Sequence, residues 1–239
     1  MGYRRTQFAP NEWYHCFNRG IEGRTVFETL EDFRRFEELL YLANDTKPFD
    51  RATIRTLTHE EILQLPRKRR LVSVGAYCLM STHPHLLLQE KQKGGITKYM
   101  HKIGTGYTMY FNAKHQRIGN LLVKPFRSKH VADDRYLRRV VQYIHLNPAE
   151  LFELGWKKGK VRNINVLERK LCAYRHSSLV DYRGTSRPER AILDAKAMEL
   201  LSHGMPTFRD VLADAREYYA ELDGEFGTRR RTLEGIPSS

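Results

Sequence analysis

The feature that most constrains the fold of this chain is an apolar run that leads through a two-residue turn into a second apolar segment. Leu71 to Met80 has the length and composition of a buried strand, and Ser81-Thr82 then turns the chain into a second strand. Side chains alternate along a strand, so His83 and His85 share one face and Pro84 lies on the other. Proline cannot donate to a strand ladder, which predicts that Pro84 lies at the strand start or on an edge. The sequence therefore predicts a sheet that carries two neighbouring histidines.

Two predicted elements come before this strand pair. Residues 12–19 alternate as a first strand, and a capping box of Thr29 and Asp32 begins a helix of about twelve residues. Residues 44–57 show no clear period, and a second capping box at Thr58 and Glu61 then begins a short helix that Pro66 ends. We interpret the segment of about 44–70 as an insertion.

Three further elements follow the strand pair. A helix is predicted after Gly94-Gly95 and is expected to break where Gly104, Gly106 and Gly119 interrupt its pattern. A basic strand at 121–131 and a helix at 133–146 complete the series. Strand, helix, two strands, helix, strand and helix together indicate an α+β domain. The predicted fold is a ferredoxin-like antiparallel sheet with helices packed on it.

The length of the chain predicts more than one unit. A chain of 239 residues exceeds the usual length of one domain, which favours a domain of about 180 residues and an appendage. We assign residues 1–182 to the domain, 183–227 to a helical extension and 228–239 to a flexible tail. Helical periodicity appears at 187–203 and 207–223. The apolar residues of the extension are expected to dock on the domain rather than to read DNA: Ile192, Ala195, Met198, Leu201 and Val211.

Charge and cysteine content limit the possible partners and compartment. The formal net charge of +13 indicates a polyanionic partner, with nucleic acid as the first candidate and a merely basic soluble protein as the alternative. The 3 cysteines show no C-x-x-C spacing, so neither a disulfide framework nor a cysteine zinc site is expected, and a reducing cytoplasm fits. The N-terminus has no apolar signal region, and no window approaches about eighteen consecutive apolar residues, which argues against a membrane protein.

Tyr143 and Asn147 are the candidate partners of the two histidines. They stand at i and i+4 of the predicted helix and therefore share a face. Two neutral imidazoles and a carboxamide oxygen, with positions left open, suit Mg²⁺ or Mn²⁺ bound to phosphate better than a closed zinc site. A nearby cation favours a phenolate, which could attack phosphorus. Each residue alone also has a structural explanation: strand histidines hydrogen-bond, tyrosines beside a core stripe pack, and Asn-Pro ends helices.

The same residues carry a resemblance to a known family. Ala76 to Leu88, with His83-Pro84-His85 at its centre, resembles the signature of the single-tyrosine HUH transposases, in which Met-Pro-Asn comes before His-hydrophobic-His. In this chain Ser81-Thr82 stands in place of Pro-Asn, and Pro84 in place of the apolar residue. More particularly, residues 3 to about 182 resemble the REP-associated tyrosine transposases of bacteria. Further stretches match in order: Tyr14 to Gly20, Tyr107 to Asn112 with Gly119, Phe126-Arg127-Ser128, Tyr143 to Pro148 and Arg175 to Ser178.

The resemblance implies an HUH endonuclease fold and a metal-dependent single-strand DNA endonuclease and strand transferase. Tyr143 would be the nucleophile, and His83, His85 and Asn147 would bind Mg²⁺ or Mn²⁺. Cleavage would leave a 5′-phosphotyrosine and a free 3′-OH. Single-stranded or hairpin-forming repeat DNA is the expected partner, and both a monomer and a homodimer stay open. The basic residues expected to contact phosphates are Lys124, Arg127, Arg138 and Arg139.

Two alternative functions are compatible with the sequence. A non-catalytic nucleic-acid-binding descendant would keep the basic surface while the altered Ser81 to His85 loop no longer holds metal. A metal hydrolase of small phosphodiesters would use water as its nucleophile, so its activity would persist after loss of Tyr143. Two tests distinguish the transposase from these two alternatives: whether the protein cleaves hairpin DNA in the presence of metal, and whether that cleavage needs Tyr143.

Overall fold

One sheet organises the part of the chain that the computed structural model describes, residues 7–158 and 160–213. Its strands are β1 Trp13–Phe17, β2 Val72–Met80, β3 His83–Glu90 and β4 Arg127–Val131. Their order across the sheet is β2-β3-β1-β4, and each neighbouring pair is antiparallel. Helices connect β1 to β2, and one long helix connects β3 to β4, so this is a ferredoxin-like arrangement. The predicted α+β fold class is confirmed.

Helices cover both faces of the sheet. They are α1 Leu30–Leu42, α2 Arg51–Thr56, α3 His59–Gln64, α4 Gly95–Lys114, α5 Asp134–Leu146, α6 Ile164–Ala173, α7 Leu179–Tyr182 and α8 Ala195–Ser202. Short 3₁₀ segments lie at Ile21–Gly23, Asn147–Leu151, Trp156–Lys158 and Pro188–Ile192. In the described ranges no helix combines the length and the apolar character needed to cross a bilayer.

The alternation of side chains divides the core into two layers. α1 and α4 pack on the face that carries Tyr14 and Leu88, whereas α5, α6 and α8 pack on the face that carries Phe17 and Leu87. Because both faces are covered, every residue of β2 is buried. His85 points to the same face as Phe17, its partner in the register. The α5 side of the sheet is therefore the side of the predicted site.

Local sequence signals place most helix starts correctly. The capping boxes of Thr29 with Asp32 and of Thr58 with Glu61 are both present at the starts of α1 and α3. The side chain of Asp133 accepts a hydrogen bond from the Tyr136 amide and begins α5. Pro84 lies at the start of β3, which is an inner strand, so the prediction of a strand-start or edge position is confirmed by the strand start.

The structure differs from the predicted helices in two places: it contains one helix that was not predicted, and another helix continues where a break was expected. α2 lies within residues 44–57, where no period was apparent. α4 continues through Gly104 and Gly106 instead of breaking there. A Cβ atom at Gly106 would lie 3.0 Å from the Leu39 side chain, so glycine permits close packing of α4 on α1. That contact offsets the low helix propensity of glycine.

The last strand and the helix predicted at 187–203 are shorter than predicted. Strand pairing within 121–131 is limited to β4 and one isolated bridge between Gly20 and Leu122. The segment 187–203 divides into a 3₁₀ turn and α8, because Asp194 caps a new helix start. Ala195 is exposed, and Ala197 takes the expected core position. The segment 207–223 is described only as far as residue 213, and residues 228–239 lie outside the described residues. The other apolar residues of this region dock as predicted: Ile192, Met198, Leu201 and Val211.

Candidate active site

The two histidines at the start of β3 lie side by side on the α5 face of the sheet. The centroids of the His83 and His85 rings are 4.9 Å apart, with an interplanar angle of 79°. His85 is buried and stacks against Phe17 at 5.8 Å between ring centroids. His83 is partly exposed at the strand end. The predicted pairing of the two imidazoles on one face is therefore seen in the structure.

Each of these two rings has its Nδ1 atom engaged by a protein neighbour. Nδ1 of His83 is 2.8 Å from the hydroxyl oxygen of Thr82, and Nδ1 of His85 is 2.9 Å from Nε2 of His15. Nε2 of His85 is buried and has no hydrogen-bond partner among the described residues. A partner on one ring nitrogen fixes the ring orientation and leaves the other nitrogen for a metal. The buried, unsatisfied Nε2 of His85 is the observation that fits a metal ligand.

Burial keeps these imidazoles neutral. Burial lowers the pKa of His83 to about 4, and the nearby Lys157 and Arg19 lower it further while Glu150 opposes them. The pKa of His85 lies well below its ordinary value because of burial and the adjacent His83 and His15 rings. At neutral pH both rings therefore have a lone pair available for a cation.

The turn before β3 is held by the segment that follows β1. The Gly20 amide donates to the Thr82 carbonyl at 2.9 Å, and the Val26 amide donates to the Ser81 carbonyl at 2.8 Å. A Cβ atom at Gly20 would lie 2.2 Å from the Arg24 carbonyl oxygen, so only glycine fits at this position. The two sequence stretches that carried the resemblance near Gly20 and Thr82 are thus in contact.

Tyr143 and Asn147 lie in the layer that covers the histidine face. α5 packs on β2 and β3, and Tyr143 is buried in the same apolar cluster as Phe17 and Met80. Asn147 begins the 3₁₀ segment after α5, and its side-chain amide donates to the Tyr143 and Ile144 carbonyls at 3.0 and 3.1 Å. With its NH₂ group occupied in this way, the amide oxygen is the group that could meet a cation.

Comparison with solved structures identifies the architecture. A REP-associated tyrosine transposase, solved bound to a REP hairpin, matches with a TM-score of 0.50, covering 82% of this chain and 96% of that chain at 14% sequence identity. This chain has the fold of a REP-associated tyrosine transposase. No protein-family model and no curated protein matches the sequence.

Within this transposase fold, the four predicted DNA contacts lie at different places. Lys124 is exposed in the loop before β4, and Arg127 begins β4 opposite Phe17, on the histidine face. Arg138 and Arg139 are half-buried on α5. Arg138 lines the narrow gap between α5 and α8.

Several residues that surround the histidines were not predicted from the sequence. His15 contacts His85, and Thr82 contacts His83; both residues lie within stretches that carried the resemblance. Arg19 and Lys157 act electrostatically on His83, and Lys129 acts on His15. Alternation along β1 with Phe17 could have placed His15 on this face, whereas Lys157 has no local signal.

A different group of residues has the donor atoms of a metal site on the other side of the molecule. Glu37, His59 and Glu189 place ligand-type atoms within 4.8 Å of one another. None of these residues was singled out from the sequence.

Proposed function

We propose that this protein is a metal-dependent single-strand DNA endonuclease and strand transferase, that is, a DNA transposase that acts at hairpin-forming repeat DNA. The observation that carries the proposal is the buried Nε2 atom of His85, which lacks a partner in the described structure beside His83 and beneath α5. The transposase fold supports it, because the solved relative is bound to a REP hairpin. Within this proposal, the protein works in the cytoplasm.

The proposed metal ligands are His83, His85 and Asn147. Two neutral imidazoles and one amide oxygen leave positions for phosphate oxygens and water, which suits Mg²⁺ or Mn²⁺. When bound, the cation would polarise the phosphodiester and stabilise the charge that develops on it. Thr82 and His15 would hold the two imidazoles in place through their Nδ1 atoms.

The proposed nucleophile is Tyr143. Its phenolate oxygen attacks phosphorus, the bond from phosphorus to the 3′-oxygen breaks, and the departing 3′-oxygen takes a proton. The 5′-phosphate stays on Tyr143 as a phosphotyrosine. The reverse attack by a 3′-OH on the phosphotyrosine joins DNA ends, and it needs no ATP because the ester conserves the energy of the broken bond.

A basic rim supports DNA as the substrate. Arg19 and Lys157 lie close enough to His83 to lower its pKa, and Arg127 and Lys129 lie on the same face of β4. We propose that these four residues contact backbone phosphates near the cut, together with the exposed Lys124. The half-buried Arg138 and Arg139 would contribute phosphate contacts from α5.

The test is cleavage of labelled single-stranded hairpin DNA from the protein's own locus, with Mg²⁺ or Mn²⁺. Wild-type protein is expected to form a label-bearing covalent adduct that survives a denaturing gel, and Tyr143→Phe is expected to abolish it. Tyr110→Phe is the matched control, because Tyr110 lies on α4, on the opposite face of the sheet. His83→Ala should lose the adduct at every metal concentration.

Two outcomes would contradict the proposal. Tight hairpin binding with no adduct in either metal would make the protein a non-catalytic DNA-binding descendant. Turnover of small phosphodiesters that survives Tyr143→Phe would make water the nucleophile and the protein a metal hydrolase.

A further inference from the structure

Three residues far apart in the sequence meet on the α1 side of the sheet, away from the candidate active site. Glu37 belongs to α1, His59 begins α3, and Glu189 belongs to the 3₁₀ segment Pro188–Ile192. Their ligand-type atoms all lie within 4.8 Å of one another. Only 2% of the Glu37 side chain, 18% of the His59 side chain and 12% of the Glu189 side chain are exposed. Three ionisable side chains are therefore largely buried at one place.

The His59 ring is oriented like a metal ligand. Its Nδ1 atom lies 3.3 Å from a carboxylate oxygen of Glu38, and its Nε2 atom faces Glu189 at 3.4 Å. Nε2 of His59 and Oε2 of Glu189 are buried, and neither makes a hydrogen bond within the described ranges. Metal-binding histidines characteristically donate their second ring nitrogen to a carboxylate, as His59 can do to Glu38.

The distance between His59 and Glu189 also fits a shared ion. In a tetrahedral site with bonds of about 2.1 Å, two ligand atoms lie roughly 3.4 Å apart. The observed separation of Nε2 and Oε1 is 3.4 Å, which is longer than a good hydrogen bond. Glu37 is held in turn by Nδ1 of His176 at 3.3 Å. Glu38 and His176 therefore position His59 and Glu37, and Glu189 faces the His59 ring.

The charges at this cluster favour a divalent cation. Three carboxylates, those of Glu37, Glu38 and Glu189, surround the His59 ring. Arg35 pairs with Glu38 at 3.0 Å. Arg187, at 4.0 Å from Glu189, is matched by its closer pairing with Asp181. If a divalent ion replaced the proton on His59, the charges of the three carboxylates, Arg35 and the ion would cancel.

The metal-free cluster is an ion pair, and a proton would have to leave before metal binds. Although burial alone would lower it, the neighbouring Glu189 and Glu38 carboxylates raise the pKa of His59 to about 9. The interaction with His59 in turn lowers the pKa of Glu189 to about 2. Glu189, which faces Nε2 of His59, would then be available to a metal ion together with Glu37.

We propose that Glu37, His59 and Glu189 bind one divalent transition-metal ion, Zn²⁺ by ligand type, with water as the fourth ligand. The ion would join three elements that the chain brings together only on folding: α1, α3 within the insertion, and the segment that follows α7. Its role would be structural, and it is independent of the DNA chemistry proposed above. Imidazole with carboxylates is a ligand set that suits Zn²⁺.

The experiment is Zn²⁺ titration of metal-stripped full-length protein against a chromophoric chelator, with thermal unfolding as a second measurement. The His83→Ala/His85→Ala double variant removes both imidazole ligands of the candidate active site, so one equivalent of Zn²⁺ bound by this variant is assigned to the Glu37–His59–Glu189 site. Glu189→Gln and Glu37→Gln should each weaken this binding at least about 100-fold, since loss of even an outer partner costs about 10- to 100-fold. Glu60→Gln, on the exposed side of α3, is the matched control and should bind like the parent.

Zn²⁺ should also raise the unfolding temperature of the double variant but not of the same variant with Glu189→Gln. Far-UV circular dichroism checks that each variant is folded, and Glu37→Gln provides a second removal of charge if Glu189→Gln does not fold. Binding that both glutamine variants leave unchanged would overturn the proposal. Failure of the double variant to bind Zn²⁺ at all would also overturn it and would leave the cluster as a buried ion pair.

Discussion

Replacing His15 by phenylalanine tests how the candidate active site is built. His15 is 1% exposed, and its Nε2 atom lies 2.9 Å from Nδ1 of His85, the ring whose other nitrogen is unsatisfied among the described residues. Phenylalanine keeps an aromatic ring beside Phe17 but removes both nitrogens. His85 would then lose the partner that fixes its orientation, while His83, Tyr143 and the rest of the proposed machinery stay in place.

The contact between His15 and His85 sets the expected losses of metal affinity and of stability. Loss of an outer partner of a metal-binding histidine costs about 10- to 100-fold in metal affinity, or about 1.4 to 2.7 kcal/mol. The unpaired Nδ1 of His85 is also buried, which should lower the free energy of unfolding by about 1–3 kcal/mol. Burial lowers the pKa of His15 to about 3, and Lys129 contributes, so His15 is neutral at pH 7 and its replacement removes no charge.

The assay is Mn²⁺ binding followed by electron paramagnetic resonance at fixed ionic strength. His15→Phe should bind about 10- to 100-fold more weakly than wild type. His15→Gln, whose amide oxygen can accept from Nδ1 of His85, should recover most of the affinity. Mn²⁺ affinity equal to wild type in folded His15→Phe would refute the positioning role. Absence of Mn²⁺ binding in wild type would instead refute the metal site itself, and the ¹⁵N shifts of the His85 ring in metal-free protein would still report whether His15 fixes its tautomer.

Two further predictions concern stability. Asp32 accepts hydrogen bonds from the Glu28 and Thr29 amides, from Tyr110 and from Lys114. Burial alone would raise its pKa, but Lys114 and these other donors together lower it to about 2. Because the folded-state pKa is depressed, Asp32 should stabilise the protein above about pH 4 and lose this effect as the pH falls towards 2. Urea unfolding should find Asp32→Asn about 1–2 kcal/mol less stable than wild type at pH 7, after allowance for solvent screening, and an equal deficit at pH 2.5 would contradict the reasoning. Arg187 is 7% exposed and pairs with the fully buried Asp181, and it also donates to the Ser177 carbonyl at 2.8 Å. Removing one partner strands the other charge, so Asp181→Asn should cost about 3–5 kcal/mol in chemical unfolding, against little change for Glu60→Gln, and a cost below about 1 kcal/mol would argue that the pair is solvated.

Local patterns were sufficient for the elements that carry the candidate site. The alternation across His83 and His85 and the apolar stripe of α5 depend only on neighbouring residues, so strand and helix periodicity predicted them. The capping boxes at Thr29 and Thr58 are equally local. Where prediction failed, a distant contact had overridden a local preference. Gly106 stays within α4 because its lack of a side chain allows α4 to pack on Leu39.

The partners of the functional groups were decided by the tertiary structure. His15 and His85 are 70 residues apart, and they meet because β1 lies next to β3 in a register that pairs Phe17 with His85. Lys157 reaches the histidines through packing of the segment after α5, which no periodicity encodes. By itself, the sequence determined which residues share a face, because side-chain direction follows from backbone geometry. Only the folded sheet determined which faces meet, because strand order and register depend on the packing of the whole chain.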